Sequence, residues 1–527
     1  MGCTSSTSSD ADGATDLSKP ALSRQTLGNA SLGDAADALT SAFVKQHWDA
    51  SDLEAKYDLS GSRQLGKGAF GVVRTCKRLG GGGGEYALKT ISLDFASASA
   101  LKELKNEIDI QRALDHPHIA RIVETFYAKP TGPTEGVNVH ILMESLAGGS
   151  CKTRLRDNGG GYSEALVAQY MRQMVSATLH CHEHGVVHRD IKLENFVFER
   201  AGDDAALKLI DFGLSVRVAS GDRLRDQVGT VAFMAPEQLG ADKGGYGAAV
   251  DVWALGVCTY ELLAGPFRRP YNTGRSVPTS HSAQLRIIQR AGAPKPLVSP
   301  VSPAAASFLD GALALQPGSR PSAEELLRHP FFRPEEAERA ARGAGRQSAA
   351  KVRSCMTTFS HLTPLERLAW DAVAFCTPPA ALHSIRTRIA QLDADGSGSL
   401  SRAELAAAFG EALSAAQVDT LFAAIDLDSS GVIEYSEIVG PLLSGAGAEL
   451  DSATVAAAFE ALDADESGKI SSGEVMSLLG SSWSDDVAAK FKFVAGEDGE
   501  LDLAEFEQLL ATLGEVSRRN SVWTPRP

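Results

Sequence analysis

Three twelve-residue segments near the end of the chain constrain its fold more than any other feature. They begin at Asp393, Asp426 and Asp463, at spacings of 33 and 37 residues. Each has a carboxylate at its first and third positions, a glycine at the sixth, an apolar residue at the eighth and a glutamate at the twelfth. Glycine permits a sharp turn and the last glutamate binds bidentately. Each segment therefore predicts about seven oxygen ligands for a hard cation, in a loop between two helices.

These loops resemble those of EF-hand proteins, and the resemblance implies an all-α, calmodulin-like EF-hand domain over residues 386–515. The expected Ca²⁺ ligands are Asp393, Asp395, Ser397, Ser399, Ser401, Glu404, Asp426, Asp428, Ser430, Val432, Glu434, Glu437, Asp463, Asp465, Ser467, Lys469, Ser471 and Glu474.

A fourth copy of the loop is degenerate. With Glu505 at its twelfth position and Gly499 at its sixth, Val494 and Gly496 stand where the other copies have carboxylates. We expect this copy to be a structural partner rather than a metal site, with Leu501 in a short strand that pairs with the third loop. Three bound Ca²⁺ ions are therefore expected.

Charge is distributed unevenly along the 527 residues. The formal net charge is −15, yet residues 386–515 alone hold 25 acidic and six basic residues. This asymmetry disfavours nucleic-acid binding and supports cation ligands in the C-terminal quarter. The chain has no apolar run of roughly 18 residues, the length that would span a bilayer. Its seven scattered cysteines form no C-x-x-C pair, which argues against a disulfide framework or a cysteine zinc site and favours an intracellular location.

Residues 57–332 carry a series of short motifs in a fixed order. A glycine-rich loop with phosphate-binding character comes first, since glycines let backbone amides approach phosphate oxygens. The series consists of Gly66–Val73, Ala87-Leu88-Lys89, Glu107 in a helical pattern, His188–Asn195, Asp211-Phe212-Gly213 and Ala235-Pro236-Glu237. With all of these in order, the region resembles the eukaryotic protein kinases over roughly 280 residues.

The kinase resemblance implies an α+β two-lobed fold that uses ATP and Mg²⁺. By that resemblance Lys89 contacts the α- and β-phosphates and pairs with Glu107. Asp190 accepts the proton of the substrate hydroxyl, and Lys192 approaches the γ-phosphate. Asn195 and Asp211 would hold Mg²⁺. The remaining expected nucleotide-binding residues are Leu65, Gly66, Lys67, Gly68, Gly71, Val73, Ala87, Met143 and Glu144. Asp251 and the Arg320–Glu237 pair are expected to support the C-lobe without taking part in chemistry.

A kinase followed by a junction and four EF-hand units resembles the calcium-dependent protein kinases of plants and protists. The junction, residues 333–385, has apolar residues at helical spacing: Met356, Phe359, Leu362, Leu365, Leu368 and Val373. The resemblance implies that the junction inhibits the kinase until Ca²⁺ binds. The expected protein is a monomeric, Ca²⁺-activated kinase acting on serine and threonine of protein substrates. The alternative is a Ca²⁺ sensor or scaffold that binds nucleotide without turnover, against which the intact Lys89, Asp190 and Asp211 argue.

The activation segment has an acidic residue at the position where many kinases are phosphorylated. Asp226 lies three residues before Gly229, where many kinases carry a phosphorylated residue. A carboxylate there could pair with Arg189 and replace the phosphate. The alternative is a solvated loop acid.

The termini carry candidate modification sites. Residues 1–56 are expected to be disordered and acylated, because Met1–Ser6 fits the N-myristoylation pattern at Gly2 and Cys3 is a candidate for palmitoylation. The alternative is an unmodified start. Acylation would place the protein in the cytoplasm, peripherally on a membrane, with the plasma membrane as one candidate. Residues 516–527 form a tail in which Ser521, like Ser348 upstream, is a possible phosphorylation site.

Overall fold

The structure is a computed structural model. It describes residues 43–332 and 349–520, except for short gaps at 48–50, 69–70, 80–83, 94–97, 129–136, 220, 242–243, 272–279, 298, 411, 428–429, 447–449 and 497. Gly2, Cys3, Ser348, Asp428 and Ser521 lie outside the described residues. Among the described residues, none of the helices combines the length and the hydrophobicity that a membrane-spanning segment requires.

The first lobe is a seven-stranded sheet with one long helix. Its strands are β1 (Lys45–His47), β2 (Tyr57–Asp58), β3 (Gln64–Gly68), β4 (Gly71–Arg78), β5 (Glu85–Leu93), β6 (Ile122–Ala128) and β7 (Val137–Glu144). The strand order is β1-β6-β7-β5-β4-β2, with β3 also paired to β4. All pairs are antiparallel except β1 with β6. Helix α1 (Ser51–Lys56) precedes β2, and α2 (Ala98–Arg112) lies between β5 and β6.

The ordered N-terminal elements correct one prediction. We expected disorder through residue 56, but Lys45–His47 adds a parallel strand to the edge of the sheet and Ser51–Lys56 is helical. His47 explains part of this order, because its Nε2 lies 2.9 Å from a carboxylate oxygen of the buried Glu124. The polar composition that favoured disorder in the first residues does not extend to this stretch, where Phe43 and Val44 are buried.

The second lobe is mainly helical. Its helices are α3 (Cys151–Asn158), α4 (Glu164–Glu183), α5 (Ala249–Ala264), α6 (His281–Ala291), α7 (Pro303–Ala312) and α8 (Ala323–Leu327). Short antiparallel pairs join β9 (Phe196–Phe198) to β10 (Leu207–Leu209) and β8 (Val186–Val187) to β11 (Val216–Arg217). Serine side chains cap several helix starts: Ser150 caps α3 and Ser163 caps α4, each accepting a backbone N–H bond. The two lobes confirm the expected kinase fold.

In its described part, residues 349–385, the junction has two α-helices before the first helix of the EF-hand region. Residues 349–360 form α9, and Pro364–Cys376 form α10. Thr363 and Glu366 form a capping box at the start of α10, and Pro364 occupies its first turn. All six apolar junction positions predicted from helical spacing are buried.

The EF-hand region consists of four helix–loop–helix units. Its helices are α11 (His383–Leu392), α12 (Arg402–Phe409), α13 (Ala415–Ile425), α14 (Tyr435–Ala446), α15 (Ser452–Leu462), α16 (Ser472–Leu479), α17 (Asp485–Val494) and α18 (Leu503–Asn520). The loops pair through two short antiparallel ladders, β12 (Leu400–Ser401) with β13 (Val432–Ile433) and β14 (Ile470–Ser471) with β15 (Glu500–Leu501). The region is therefore helical with paired loops, as predicted.

The buried core does not follow the three regions. One cluster of buried apolar side chains runs from the first lobe through the junction into both halves of the EF-hand region, and a second occupies the helical lobe. Phe43 and Phe375 illustrate the first cluster, with ring centroids 5.4 Å apart across the lobe–junction boundary.

Candidate active site and calcium loops

The lysine on β5 is paired as the sequence predicted. Lys89 Nζ lies 2.7 Å from Glu107 Oε1 on α2 and 3.8 Å from Asp211 Oδ1. Burial opposes the charge on Lys89, but the two carboxylates raise its pKa above the ordinary value. The lysine is therefore a fixed cation between the sheet and the Asp211 segment.

Asp190 of the catalytic loop is held by contacts to its carboxylate and to its backbone. Asp190 Oδ1 accepts hydrogen bonds from the Thr230 hydroxyl at 2.7 Å and from the Thr230 backbone N–H at 3.0 Å. Lys192 Nζ donates to Asp190 Oδ2 at 2.5 Å and to Thr230 Oγ1 at 3.0 Å. The Asn195 amide donates to the Asp190 backbone carbonyl at 2.9 Å. Asp190, Lys192 and Asn195 are thus brought together as predicted.

Thr230 is the functional-site residue that the sequence reasoning missed. It lies 40 positions from Asp190 in the chain yet bonds both to that carboxylate and to Lys192. Thr230 lies between the Asp211-Phe212-Gly213 and Ala235-Pro236-Glu237 motifs, which places it in the activation segment. This position is the sequence feature that could have identified it. It joins the segment directly to the catalytic loop.

Asp251 supports the catalytic loop through hydrogen bonds to its backbone. Its two carboxylate oxygens accept the backbone N–H groups of His188 and Arg189, each at 2.8 Å, and Oδ2 also lies 2.9 Å from His182 Nε2. Arg189 has a positive φ of 67°, a conformation that non-glycine residues rarely adopt. The two bonds to Asp251 stabilise it. Asp251 therefore has the supporting role expected from the sequence.

A second buried ion pair fixes the end of the activation segment. Arg320 donates to both oxygens of Glu237, at 2.6 and 2.9 Å, and also to the Ala249 carbonyl. A bidentate arginine–carboxylate pair fixes geometry as well as charge. This is the predicted structural contact.

The predicted activation-loop pair is formed. Arg189 Nη1 lies 3.6 Å from Asp226 Oδ2, although the Asp226 side chain is 74% exposed. Two further bonds hold the same region: the Arg189 Nε–H donates to the Leu214 carbonyl, and the Tyr246 hydroxyl donates to the Asp226 carbonyl. The carboxylate thus lies where a loop phosphate would meet the arginine, within a partly solvated pair.

The expected nucleotide-binding residues line the first lobe. Leu65, Gly66, Lys67, Gly68, Gly71 and Val73 lie on the β3–β4 hairpin. Ala87 and Met143 are register partners on β5 and β7. A Cβ added at Gly71 would overlap the Thr90 carbonyl oxygen, so only glycine allows these strands to approach so closely.

Glu144 has a different environment from the one its predicted role suggests. Its Oε1 accepts hydrogen bonds from buried Lys208 at 2.7 Å and from the Arg121 backbone N–H at 2.8 Å. Burial opposes ionisation, but the charges of Lys208 and of the Arg121 guanidinium hold the pKa of Glu144 below its ordinary value. The side chain is thus occupied in a buried ion pair, and a nucleotide contact at Glu144 would come from its backbone.

The donor set fits ATP and Mg²⁺. Asn195 and Asp211 supply the amide and carboxylate oxygens that Mg²⁺ prefers, and Lys89 supplies a cation for phosphate oxygens. The bound metal would neutralise charge on the phosphates during transfer. This chain's own contribution is to hold Asp190 ready to accept a proton from a substrate hydroxyl and to keep Lys192 beside it.

The first and third calcium loops form oxygen clusters. Carboxylates of Asp393, Asp395 and Glu404 approach within 4.8 Å of one another, as do those of Asp463, Asp465 and Glu474. The sixth-position glycines have φ of 88° in the first loop, 88° in the second and 82° in the third, the left-handed conformation that favours glycine. These clusters fit a hard divalent cation.

Fifth- and seventh-position oxygens also converge. Ser397, Ser430 and Ser467 donate their hydroxyls to the carbonyls of Ser399, Val432 and Lys469, at 3.3, 2.8 and 2.9 Å. The ninth-position Ser401 and Ser471 cap the helices that follow. The donor types match a calcium loop, whose seventh ligand is a backbone carbonyl.

Asp393 is a buried acid with two further acids beside it. Burial is the main cause that raises the pKa of Asp393 to about 7, and the nearby Glu404 and Asp395 raise it further. A cation held by these acids would offset the repulsion among them.

The second loop is described only in part, because Asp428 lies outside the described residues. Asp426 and Glu437 are buried and satisfy loop amides: Ser430 N–H bonds Asp426 Oδ1 at 3.0 Å, and Leu427 N–H bonds Glu437 Oε1 at 2.8 Å.

The fourth loop uses its acids for other contacts. Asp498 is paired with Lys469 of the third loop, and Glu505 Oε2 accepts the Asp502 backbone N–H at 3.0 Å. Leu501 pairs with Ile470, as predicted for a structural partner.

Several contacts between the kinase and EF-hand regions were not predicted. His116 Nε2 lies 3.0 Å from the Ser397 carbonyl of the first loop, and Asp115 accepts the Ser436 backbone N–H at 2.7 Å. Arg386 pairs with the buried Glu199. A Cβ at Gly398 would overlap the His116 ring, so glycine is required for this close approach. The residues of these pairs are 187 to 321 positions apart in the chain and have no local sequence signal.

The fold and site define a protein kinase joined to EF-hands. Residues 59–332 match the family model described as protein kinase domain, 384–440 match an EF-hand domain pair, and 455–479 match an EF hand. The chain is 31% identical over 395 residues to calcium-dependent protein kinase 21 of Arabidopsis thaliana, covering 74% of this chain and 69% of the relative. It is 33% identical to calcium-dependent protein kinase 19 of Oryza sativa subsp. japonica, with the same coverage of both chains.

The chain therefore belongs to the calcium-dependent protein kinase family. It is a serine/threonine protein kinase that carries EF-hands, acts on protein substrates and uses ATP, Mg²⁺ and Ca²⁺. This confirms the family and the enzyme class predicted from the sequence motifs.

Proposed function

We propose that the junction holds this kinase inactive until Ca²⁺ fills the first three EF-hand loops. One observation carries the proposal: α10 of the junction packs against α14 and α15 and also contacts α16, α17 and α18. The EF-hand region thus surrounds the helix. A change in the angles between the EF-hand helices on Ca²⁺ binding would directly alter their packing against α10.

The contacts of the kinase region support the same interpretation. His116, Arg172 and Glu199 meet the EF-hand region, and all three lie outside the catalytic loop and the activation segment. The paired Lys89 and Glu107 belong to a catalytically competent arrangement. We infer that the conformation described here, with the junction held by the EF-hands, corresponds to the active state.

A phosphate-transfer assay tests the proposal. Purified full-length protein, radiolabelled ATP and a serine-containing peptide are combined with excess Ca²⁺ or with a chelator, at constant Mg²⁺. We expect transfer only with Ca²⁺. Equal transfer in both conditions would contradict the autoinhibition proposal, and no transfer in either would support a nucleotide-binding scaffold.

We further propose attachment to the cytoplasmic face of a membrane through acylated Gly2 and Cys3. The support is the sequence pattern at Met1–Ser6 together with the weak membrane affinity of a single myristoyl chain, which makes a second acyl group necessary for stable anchoring. Cys3→Ser should leave weak, reversible attachment and Gly2→Ala should release the protein. Membrane fractionation checks this, and unchanged fractionation of both variants would contradict it.

We also propose that the protein is a monomer, which light scattering tests.

A further inference from the structure

Two histidines at the end of α4 and one glutamate of the second calcium loop meet between the helical lobe and the EF-hand region. His180 and His184 are four residues apart, so their side chains share one helix face. One nitrogen from each ring and one carboxylate oxygen of Glu434 all lie within 4.8 Å of one another. The distance from His184 Nε2 to Glu434 Oε1 is 3.5 Å.

His180 supplies an unexplained buried polar atom. The residue is 4% exposed, and its Nε2 has no hydrogen-bond partner among the described residues. Burial lowers the pKa of His180 well below its ordinary value, so the ring is neutral. Buried nitrogens nearly always have a partner, and a neutral imidazole nitrogen is a good metal ligand.

His184 is oriented for the same role. Its Nδ1 lies 2.9 Å from the His180 backbone carbonyl, which can only accept, so Nδ1 carries the hydrogen. In the neutral ring, the Nε2 atom near Glu434 is then the nitrogen that carries the lone pair. Metal-binding histidines are commonly fixed in this way by a bond from the other ring nitrogen to a carbonyl.

We propose that His180, His184 and Glu434 bind a Zn²⁺ ion that bridges the helical lobe and the second EF-hand loop. Two imidazoles and a carboxylate, with one water, make a four-coordinate zinc site. The nitrogen ligands disfavour Ca²⁺ and Mg²⁺, which prefer oxygen ligands throughout. The half-buried His184 leaves one side for the water and for metal entry.

The site would link zinc to the calcium switch. Glu434 is the ninth residue of the second loop, a position that often reaches Ca²⁺ through water. Zinc bound at Glu434 would tie this loop to α4, so it would stabilise the docked arrangement of kinase and EF-hands.

Zinc titration of the full-length protein tests the site. Excess Ca²⁺ first fills the EF-hand loops, and Zn²⁺ is then added in a calorimeter; Co²⁺ serves as a spectroscopic probe for tetrahedral nitrogen and oxygen ligands. We expect one Zn²⁺ per chain in the parent protein. His180→Gln and His184→Gln should each weaken binding by more than roughly 100-fold, because a ligand is lost and not merely a supporting bond. His361→Gln, at an exposed histidine, is the matched control and should bind like the parent.

The half-buried His184 variant keeps the test decisive if His180→Gln fails to fold. In zinc-free buffer, His184→Gln should retain Ca²⁺-dependent activity and the parent unfolding temperature. Equal zinc affinity in the parent and in His184→Gln would overturn the proposal. So would zinc that binds only by displacing Ca²⁺ from the loops.

Discussion

At the scale of single residues, the Asp190 carboxylate is held from two sides before any substrate arrives. Thr230 bonds one oxygen and Lys192 the other. Both contacts fix the direction of the carboxylate, so the geometry for proton acceptance does not depend on substrate binding.

Asp190→Asn should remove the proton acceptor and leave nucleotide binding intact. Positioned acid–base groups contribute roughly 10²- to 10⁴-fold to rate, so turnover should fall by at least that range. Peptide phosphorylation and nucleotide titration measure the two effects separately. Asp222→Asn, at an exposed acid of the activation segment, is the control and should be as active as the parent. A parental rate for Asp190→Asn would refute its assignment.

The Arg189–Asp226 pair should contribute modestly. Because Asp226 is largely exposed, the pair is worth at most about 1 kcal/mol, and Asp226→Ala should lower activity by no more than roughly fivefold. The decrease should become smaller at high salt, since exposed pairs are screened. Activity is measured with Ca²⁺ on protein whose loop is confirmed unphosphorylated by mass spectrometry. Full activity of Asp226→Ala at low salt, matching an Asp222→Ala control, would show that the carboxylate does not replace a phosphate.

At the scale of elements, α10 combines local signals with long-range packing. The capping box and the first-turn proline start it, and the apolar stripe predicted from the sequence places Leu365 and Leu368 in the core. The stripe indicated a helix and its buried face. It did not indicate which elements cover that face, because helix–helix contacts across 60 or more residues leave no local pattern.

The same distinction explains what the sequence predicted of the site. The Lys89–Glu107 pair, the catalytic loop and the EF-hand loops are each carried by motifs whose spacing encodes geometry. The contacts of Thr230 with Asp190 and of Arg386 with Glu199 depend on how distant segments pack together. Residue type alone therefore could not predict them. The strand at Lys45–His47 was missed because its partner, β6, lies about 80 positions further along the chain.

Leu368→Ala tests α10. Replacing a buried leucine by alanine typically lowers the free energy of unfolding by about 2–5 kcal/mol. The loss of this side chain should weaken the packing of the EF-hand region against α10. The expected result is a higher Ca²⁺ concentration for half-maximal activation, measured in the phosphate-transfer assay. His361→Ala, at an exposed junction position, is the control. An unchanged Ca²⁺ dependence in Leu368→Ala would separate α10 from the switch.

At the scale of the whole molecule, the proposed calcium switch would need more than one calcium ion. Moving an equilibrium from 1:99 to 99:1 takes about 5.5 kcal/mol of differential binding. A site that binds only the active state contributes roughly 1.4 kcal/mol at ten times its Kd. Three such sites would therefore contribute about 4 kcal/mol, which is enough to change a mostly inactive population into a mostly active one. A single site would not contribute enough.

Replacing a twelfth-position glutamate by glutamine should expose this requirement. Glu404→Gln, Glu437→Gln and Glu474→Gln should each raise the Ca²⁺ concentration for activation and reduce cooperativity, because a bidentate ligand is lost. Glu505→Gln in the degenerate fourth loop is the matched control and should respond like the parent. Calorimetry that finds four tight calcium sites, or a triple variant with a normal response, would contradict this account.

The buried core that runs from the first lobe through the junction into the EF-hands bears on how the chain may be divided. The kinase match ends at residue 332, yet Phe43 packs on Phe375 and Arg121 lies 4.8 Å above the same ring. A fragment cut at residue 332 would leave this apolar face of the first lobe in water, while the helical lobe would keep its own core. We therefore expect the units of cooperative unfolding to cross the end of the kinase match, so that the first lobe unfolds together with the EF-hand region.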